Sequence, residues 1–458
     1  MPRDHDHLPR RLDVAVIGSG IAGLSAAWLL SKTHNVSIYE QDGRVGGHSN
    51  TVLVPGPSGP VAVDTGFIVY NELNYSNLTS LFAHLGVETQ KSEMSFAVSI
   101  GGGDLEYSGS NLMGLFGQRR NLLRPRFWRM LRDVLRFYRE APQLLADGHE
   151  PLSLGAYLER GGYSAAFAYD HLLPMAAAIW STDAAAMRDH PAQAFIRFCV
   201  NHGLMRVTGR PQWRTVTGGS RAYVKRLCAS FADRIMVNAG VSAISRTPAG
   251  VIVHDANGAT TRFDHVVIAA HADQALAMLV DPTAEERRLL GAFRYSRNTA
   301  ILHRDETLMP RRKGVWSSWN YIGGEGEGGK GRAASADASG QVCVTYWMNR
   351  LQSLDESAPL FVTLNPSKPP AAEKIIRTFQ YDHPMYDAAA LEAQGRLGRL
   401  QGQRNTWYCG SYFGAGFHED ALSAGLAVGE ALGGVTRPWL AAASEPPAII
   451  EGFRSAAE

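Results

Sequence analysis

The fold of this 458-residue chain is decided by the stretch Leu12-Asp13-Val14-Ala15-Val16-Ile17-Gly18-Ser19-Gly20-Ile21-Ala22-Gly23. Its apolar first half predicts a buried parallel strand, and the run from Leu24 to Leu30 predicts the helix that follows. The three glycines give a tight turn, let a pyrophosphate approach the backbone, and let the strand pack closely on the helix. The N–H groups at the start of that helix would face the phosphates.

A second strand and an acidic residue complete the pattern. Val36 to Tyr39 predicts the strand, which ends at Glu40, about 20 residues after the glycines. A carboxylate at that position accepts hydrogen bonds from a ribose diol. Strand, turn, helix, strand and acid stand in order, so the sequence predicts a dinucleotide site.

Two further Gly-rich elements favour FAD over a nicotinamide cofactor. Gly43-Arg44-Val45-Gly46-Gly47-His48 places glycines and an arginine where backbone and side chain can reach a diphosphate. Nicotinamide dehydrogenases have no need of this second element. Near the other end of the chain, the Gly-rich stretch from Cys409 to Asp420 joins a predicted strand, Asn405 to Tyr408, to a predicted helix, Ala421 to Leu432. The N-terminus of that helix can stabilise negative charge on a reduced flavin.

Composition narrows the class of protein. The formal net charge is +2, which gives no electrostatic argument for a nucleic-acid partner. The four cysteines form no CxxC pair, so we expect no metal site and a reducing compartment. The first eleven residues contain no secretory apolar region, and no apolar stretch reaches the roughly 18 residues that cross a bilayer. We expect a cytoplasmic protein, either soluble or peripheral on the inner face of the membrane.

The element pattern predicts an α/β fold: a discontinuous Rossmann-like FAD-binding domain with an inserted α+β substrate lobe. The alternating runs Thr299 to His303 and Val342 to Met348 predict a separate sheet in that lobe, and Gly323 to Gly340 predicts a surface loop. The predicted FAD-binding segments are residues 11–80, 212–285 and 400–435. The predicted lobe comprises residues 81–211, of which 110–200 are mainly helical, and 286–399; residues 436–458 form a C-terminal tail.

These elements resemble those of the flavin amine oxidase and phytoene desaturase superfamily. The stretch from Glu40 to Gly47, together with Phe67, matches its N-terminal signature, and Val241 matches the position whose backbone meets the adenine. The motifs and the resemblance together imply a set of FAD-contacting residues. They are Gly18, Gly20, Ile21, Ala22, Gly23, Glu40, Gln41, Arg44, Gly46, Gly47, His48, Gly66, Phe67, Val241, Gly410, Phe417, Asp420 and Ala421.

A narrower resemblance covers nearly the whole chain. It rests on stretches such as Gly209-Arg210-Pro211-Gln212-Trp213, Val344-Thr345-Tyr346-Trp347-Met348-Asn349 and Gly416-Phe417-His418-Glu419-Asp420. The chain is similar to bacterial flavoproteins found beside cyclopropane-fatty-acid-synthase-like methyltransferases, and to the N-terminal half of plant cyclopropane fatty acid synthases. The resemblance implies a lipid methyltransferase as a partner. One branch of these flavoproteins is associated with furan fatty acid synthesis, where a double bond is introduced beside a methylated one.

The sequence departs from the superfamily in two places. His48 stands where many relatives carry arginine after the glycine pair, which leaves the predicted phosphate clamp with one fewer permanent cation. The second departure concerns amine oxidation. The lysine that amine oxidases hold near the flavin through a water has no counterpart that we can place. Nor does the sequence offer a pair of tyrosines for an amine cage. We therefore rank amine oxidation last.

No motif names a catalytic base. His418 and Glu419, beside the predicted flavin helix, are candidates by position. The alternative is that His418 caps a helix, while Glu419 and Asp420 bond ribityl hydroxyls or the backbone. His202 is a weaker candidate, and a structural role suits it better.

An apolar and aromatic set outside the FAD segments would suit a long hydrocarbon, although ordinary packing of the lobe explains it equally well. Its members are Met175, Ile179, Trp180, Trp316, Trp319, Tyr321, Tyr346, Trp347 and Met348.

Eight arginines between Arg119 and Arg139 alternate with apolar and aromatic residues, with Asp133 as the only acid among them. Such a basic amphipathic helix can lie in a membrane interface. A solvated helix face that covers the lobe is the alternative.

Three functions remain open. The leading hypothesis is an FAD-dependent oxidoreductase that desaturates unsaturated or methyl-branched fatty acyl chains, with a fatty acyl or phospholipid substrate. The second is a double-bond isomerase, in which the hydride returns to the same chain. The third is a non-catalytic flavoprotein partner of a lipid methyltransferase.

Overall fold

The computed structural model describes residues 10–146, 152–182, 185–323, 342–433 and 435–440. The predicted loop from Gly323 to Gly340 lies outside the described residues except for Gly323 itself. The predicted tail also lies outside them beyond residue 440.

The strands within the described residues are β1 Asp13–Ile17, β2 Asn35–Tyr39, β3 Thr51–Gly56, β4 Gly59–Asp64, β5 Tyr70–Asn71, β6 Thr89–Ser92, β7 Phe96–Ile100, β8 Leu105–Ser108, β9 Trp213–Val216, β10 Ile235–Met236, β11 Val241–Thr247, β12 Gly250–Asp255, β13 Thr260–Phe263, β14 His265–Ile268, β15 Arg294–His303, β16 Trp319–Ile322, β17 Val344–Trp347, β18 Phe361–Leu364, β19 Ile375–Met385 and β20 Thr406–Tyr408.

The α-helices are α1 Ile21–Leu30, α2 Ser76–Leu85, α3 Leu112–Leu115, α4 Pro125–Glu140, α5 Leu154–Arg160, α6 Ala165–Phe167, α7 Leu173–Trp180, α8 Ala192–Asn201, α9 Arg221–Cys228, α10 Ala272–Met278, α11 Ala284–Leu290, α12 Met348–Leu351, α13 Ala388–Gln394 and α14 His418–Gly433.

A five-stranded parallel sheet joins parts of the chain that are far apart in sequence. Its strand order is β10-β2-β1-β14-β20, and every pairing in it is parallel. The central strand β1 is apolar because both of its faces are covered: Val14, Ala15 and Val16 are fully buried. The carboxyl ends of these strands therefore meet at one edge, where ligands bind in sheets of this kind.

Helix α14 packs directly on α1. A Cβ atom on Gly425 would lie 2.1 Å from the carbonyl oxygen of Ala22, so only glycine permits this approach. The Ser25 hydroxyl also donates to the carbonyl of Leu422, at 3.3 Å. The contact brings the two Gly-rich ends of the chain to the same edge of the parallel sheet.

A seven-stranded mixed sheet stands apart from the parallel one, in the order β19-β15-β18-β17-β16-β7-β8. The two predicted alternating runs lie in it as β15 and β17. Residues 110–200 are mainly helical, as expected, and contain helices α4 to α8. Of the described helices, none is long and apolar enough to span a bilayer.

Three predicted helix starts differ from those observed. Helix α1 begins at Ile21 and α14 at His418, each three residues before the predicted start. The stretch Thr217-Gly218-Gly219-Ser220 predicts the start of a third helix, but α9 begins only at Arg221. Gly218 and Gly219 have φ angles of +77° and +85°, which no right-handed helix accommodates.

Candidate active site

The first glycine turn is closed on one side and open on the other. A Cβ on Gly23 would lie 2.0 Å from the carbonyl oxygen of Gly18, and a Cβ on Gly18 would lie 2.7 Å from that of Ala269. Gly20, by contrast, has no atom within 4 Å of where its Cβ would be. The first turn of α1, with Ile21 and Ala22 buried against the core, thus directs unpaired N–H groups into open space.

Glu40 ties the end of β2 to this turn. One of its carboxylate oxygens accepts from the Ser19 N–H at 2.9 Å and from the Ser19 hydroxyl. The other accepts from the Asp42 N–H at 2.8 Å. Glu40 is buried, so the acid expected to meet a ribose stands beside the turn expected to meet the diphosphate.

The second glycine pair folds onto the first turn. The Gly46 N–H donates to the Ser19 carbonyl at 3.0 Å, and a Cβ on Gly47 would lie 3.0 Å from the Cα of Gly20. Arg44 donates from Nη1 to the Gly47 carbonyl at 2.6 Å. The pair and its arginine therefore lie against the first glycine turn, and their contact with a diphosphate stays a prediction.

Gln41 and Val241 lie close to Glu40. A Cβ on Gly240 would lie 3.2 Å from the Cβ of Gln41, and the Ala239 N–H donates to the Glu40 carbonyl at 2.8 Å. These contacts bring Val241, at the start of β11, next to the acid of β2, where an adenosine would extend beyond the ribose.

His48 has an unsatisfied nitrogen in the interior. Its Nε2 is buried and has no hydrogen-bond partner among the described residues. The ring lies 4.8 Å from that of Tyr381 and 5.5 Å from that of His383, both on β19. Burial holds the pKa of His48 well below its ordinary value, and the neighbouring His383 lowers it further. A buried neutral imidazole with a free nitrogen indicates a polar group that belongs against it.

Phe67 and His418 join the two halves of the site. Their rings stack with centroids 3.8 Å apart. The Phe67 N–H donates to the His48 carbonyl at 2.8 Å, and a Cβ on Gly66 would lie 2.3 Å from that same oxygen. His418 shares a hydrogen bond of 2.8 Å between its Nε2 and the hydroxyl of Tyr223. Burial lowers the pKa of His418 to about 3, so the imidazole is neutral.

Glu419 and Asp420 both bind backbone. The Glu419 carboxylate accepts from the N–H groups of Asn77 at 2.8 Å and Leu78 at 2.9 Å, which caps α2. Asp420 accepts from the Phe417 N–H at 2.9 Å. Burial raises the pKa of Glu419 to about 7 and that of Asp420 to about 6. The sequence analysis offered such backbone contacts as the alternative to catalysis for Glu419 and Asp420. A role of His418 or Glu419 in proton transfer stays a prediction.

Two further predicted FAD residues are packing positions. Gly410 follows β20, and a Cβ on it would lie 2.6 Å from the ring of Tyr412. Ala421, in the first turn of α14, is buried in the same apolar core as α1. Both set the path of the chain into α14.

Four packed rings, Trp180, Phe198, His202 and Phe417, form what we term the aromatic wall. The wall connects the substrate lobe to the C-terminal element. The Phe198 ring stacks on that of Phe417 with centroids 4.8 Å apart and on that of His202 at 3.8 Å. Trp180 lies 4.8 Å from Phe198 and 6.2 Å from Phe417. The wall continues the predicted flavin side of the site as an apolar surface.

His202 also lines a surface cavity of about 830 Å³. The lining includes Lys91, Arg210 and Arg350, which we term the cavity lip, together with Glu93 and Glu356. Arg350 is paired with Glu93 at 3.2 Å. Arg210 to Trp213 of the sequence motif thus share this lining with His202, a member of the aromatic wall.

The predicted hydrocarbon lining divides between the two faces of the seven-stranded sheet. Tyr346 belongs to the main core on the helical side. Trp316 and Trp347 lie in a separate small cluster with Met309 and Phe361. Successive strand residues face opposite ways, so Tyr346 and Trp347 cannot line one cavity. For Trp316 and Trp347 the packing explanation is therefore correct.

Sequence reasoning missed the partners that the sheet supplies. Tyr381 accepts a hydrogen bond from Asn50 Nδ2 at 2.9 Å and shares one of 2.8 Å with Thr65. Neither Tyr381 nor His383 lies in a motif, and only the pairing of β19 with β15 brings them to His48. The alternation of β19 could have indicated a strand but not its neighbour.

The open cradle at Gly20 fits the diphosphate in the middle of FAD, and the unpartnered nitrogen of His48 fits a further polar group of the same elongated cofactor. Residues 21–350 match the family described as flavin containing amine oxidoreductase. The chain belongs to that family, has its amine-oxidase-like α/β fold, and is an FAD-dependent oxidoreductase.

Solved structures share the fold over nearly the whole chain. Cyclohexylamine oxidase from Brevibacterium oxydans is 15% identical, with a TM-score of 0.65, covering 92% of this chain and 100% of that one. A CLA-producing fatty acid isomerase from P. acnes is 16% identical, with a TM-score of 0.62, covering 92% and 98%. A putrescine oxidase bound to putrescine is 15% identical, with a TM-score of 0.62, covering 92% and 99%. No curated protein matches the chain in sequence.

Proposed function

We propose that this protein oxidises an unsaturated or methyl-branched fatty acyl chain and introduces a further double bond. The observation that carries the proposal is the aromatic wall, which contacts the C-terminal FAD element through Phe417 and the cavity through His202. A hydrocarbon would lie along this wall, since ligand pockets are mostly apolar with a few polar anchors.

The reaction breaks two C–H bonds on adjacent carbons and forms one C=C bond. Bound FAD supplies the redox chemistry by accepting the hydride from an allylic carbon. The existing double bond makes that loss easier because it delocalises the developing positive charge. The neighbouring carbon gives its proton to a base on the chain, and the pair of electrons left behind becomes the new bond.

His418 and His383 meet the first requirement of a proton acceptor, a neutral imidazole, while their lowered pKa values make both of them weak bases. Burial keeps the pKa of His418 at about 3 and that of His383 at about 4, so both imidazoles are unprotonated at neutral pH. A charged imidazolium could not accept a proton. His418 is the candidate that the sequence indicated, and Tyr223 fixes its ring orientation.

The cavity lip suits the anionic end of the substrate. Arg210 is exposed there and donates from Nε to the Arg206 carbonyl at 2.7 Å. Its remaining N–H groups can bind a carboxylate or a phosphate in two-pronged fashion. We therefore assign the headgroup to the lip and the alkyl chain to the wall.

The proposal is tested by anaerobic titration of the FAD-loaded protein with monounsaturated and methyl-branched acyl lipids. We expect loss of the yellow flavin absorbance with these lipids and none with cyclohexylamine or putrescine. In Arg210→Gln the half-saturating lipid concentration rises while the limiting rate stays unchanged. The exposed strand residue Arg377 gives the control, Arg377→Gln.

Bleaching by the amines alone would overturn the proposal. Equal half-saturation in the wild type and Arg210→Gln would overturn the headgroup assignment. If no lipid bleaches the flavin, a non-catalytic association with a lipid methyltransferase becomes the better hypothesis. That association rests on the sequence resemblance, and peripheral contact with the inner face of the membrane rests on the basic stretch from Arg119 to Arg139.

A further inference from the structure

The segment from α3 to the start of α4 exposes an unusual concentration of apolar side chains. Large apolar residues are exposed at twelve positions of the described chain, and six of these fall between 112 and 135. Five of the six form what we term the apolar knob: Leu112, Met113, Leu122, Leu123 and Trp128, each between 48% and 87% exposed.

The knob is one continuous surface. Trp128 donates from Nε1 to the Leu122 carbonyl at 2.9 Å, and its ring lies 5.6 Å from that of Phe116, the residue that ends α3. Leu112 and Met113 stand on the turn of α3 just before Phe116. Hydrogen bonds hold the turns as well: the Asn111 side chain accepts from the Gly114 N–H at 2.8 Å.

The sequence allowed helix α4 to lie with its apolar face in a membrane interface, but that face is not available. Phe127, Met130 and Phe137 are buried against the lobe. The exposed side of α4 is a basic face with Trp128 at its edge. The apolar face of α4 covers the lobe, as the alternative explanation of this helix states. The knob, which no periodicity predicted, is a separate exposed apolar surface.

Arginines surround the knob. Arg119, Arg129 and Arg132 are exposed, and Arg119 and Arg129 form no ion pair with another described residue. Arg126 is paired with Asp170 at 2.7 Å and Arg120 with Asp104 at 3.3 Å. The positive charge around the knob thus exceeds the acidic charge available to neutralise it.

We propose that the apolar knob and its arginines dock on the surface of an anionic phospholipid bilayer. Apolar side chains that protrude among basic residues insert between headgroups, and tryptophan prefers that interface. The arginines complement the negative surface potential of such a membrane. This docking does not depend on which lipid reaction the active site performs.

Helix α4 runs from the knob toward the cavity. The knob lies at its N-terminal end, and Tyr138, whose pKa burial raises against the opposing positive charge of Arg210, lies near its C-terminal end.

The test is co-sedimentation of the full-length, FAD-loaded protein with phosphatidylcholine vesicles, with and without phosphatidylglycerol. We expect binding only with phosphatidylglycerol, weakened by salt. Leu123→Asp reduces the partition coefficient at least about tenfold. Arg129→Ala reduces it about fivefold, the usual effect of one basic residue.

Matched controls lie elsewhere on the surface. Val280, which is 63% exposed, gives Val280→Asp, and Arg377→Ala controls for charge; both should bind vesicles as the wild type does. All variants should keep the flavin content and melting temperature of the wild type, since the sites are exposed. Equal vesicle binding by Leu123→Asp and the wild type would overturn the proposal. So would a wild-type dimer that Leu123→Asp dissociates without any vesicle binding, which would assign the knob to a second copy.

Discussion

Substitutions in the first glycine turn separate cofactor binding from folding. Gly20 has a φ of −67° and a ψ of 173°, which any residue adopts, and an added Cβ meets no atom within 4 Å. Gly20→Ala therefore costs only about 0.5–1 kcal/mol of folding free energy, the usual effect at a helix N-cap. Its methyl group, however, projects into the space that the diphosphate must enter.

The loss of FAD affinity follows from the hydrogen bonds given up. Moving a diphosphate away from the N-terminus of α1 forfeits charge-assisted bonds to backbone N–H groups, each worth about 1.5–3 kcal/mol. Losing about 2–3 kcal/mol raises the Kd for FAD roughly 30- to 150-fold. We expect this in Gly20→Ala with the apoprotein still folded.

Gly23→Ala should behave differently. Its Cβ would lie 2.0 Å from the carbonyl oxygen of Gly18, and backbone cannot yield there as a flexible side chain would. We expect more than about 3 kcal/mol of lost stability as well as lost FAD binding. The assay is urea unfolding of each apoprotein together with FAD titration by quenching of flavin fluorescence. Unchanged FAD affinity in Gly20→Ala would refute the placement of the diphosphate.

Three other predictions concern buried polar groups. Glu286→Ala should cost at least about 2 kcal/mol in urea unfolding, because it leaves the fully buried Arg246 side chain with Asp281 as its remaining carboxylate partner and removes the acceptor of the Tyr408 hydroxyl. The exposed pair member Glu285, as Glu285→Ala, is the control and should change stability by less than about 1 kcal/mol. Burial lowers the pKa of His303 to about 4, so between pH 6.5 and 4 the unfolded chain binds a proton that the folded protein does not, and stability falls as the pH drops through that window. His303→Gln should therefore lose roughly 3 kcal/mol less stability than the wild type over the same window. An equal pH dependence in both proteins would contradict a buried, neutral His303. Glu419→Gln should change stability by less than about 1 kcal/mol, because the amide removes a charge that burial disfavours but leaves one N–H of the α2 cap without an acceptor. A large fall in the flavin bleaching rate at unchanged stability would support the catalytic role predicted from its position.

The nucleotide-binding half of the fold was predictable because its constraints are local. A turn that admits only glycine at Gly18 and Gly23, a buried strand before it, and an acid after the next strand all lie within one short stretch. The same reasoning reached the C-terminal helix, although not that Gly425 would bring it against α1. Such motifs constrain the backbone conformation of a short segment, so the local structure can be predicted from them.

The reaction half was less predictable because its contacts are long-range. Tyr381 and His383 reach His48 through the register of an edge strand, and the aromatic wall joins Trp180 and Phe198 to Phe417 across separate segments. Of the two explanations offered for the apolar set, packing is the one observed at Trp316 and Trp347, since composition does not reveal which face of a strand a residue occupies. Domain boundaries and individual FAD contacts stay predictions.

The central claim is that the bound flavin oxidises an acyl chain. The most direct measurement is the mass of the lipid after a single anaerobic turnover, with the FAD-loaded protein in excess over a monounsaturated or methyl-branched acyl lipid. The account predicts a product two hydrogen atoms lighter, formed in equal amount to the flavin that loses its absorbance. A rearranged product of unchanged mass would contradict desaturation and indicate an isomerase, and an unaltered lipid would contradict oxidation of these chains altogether.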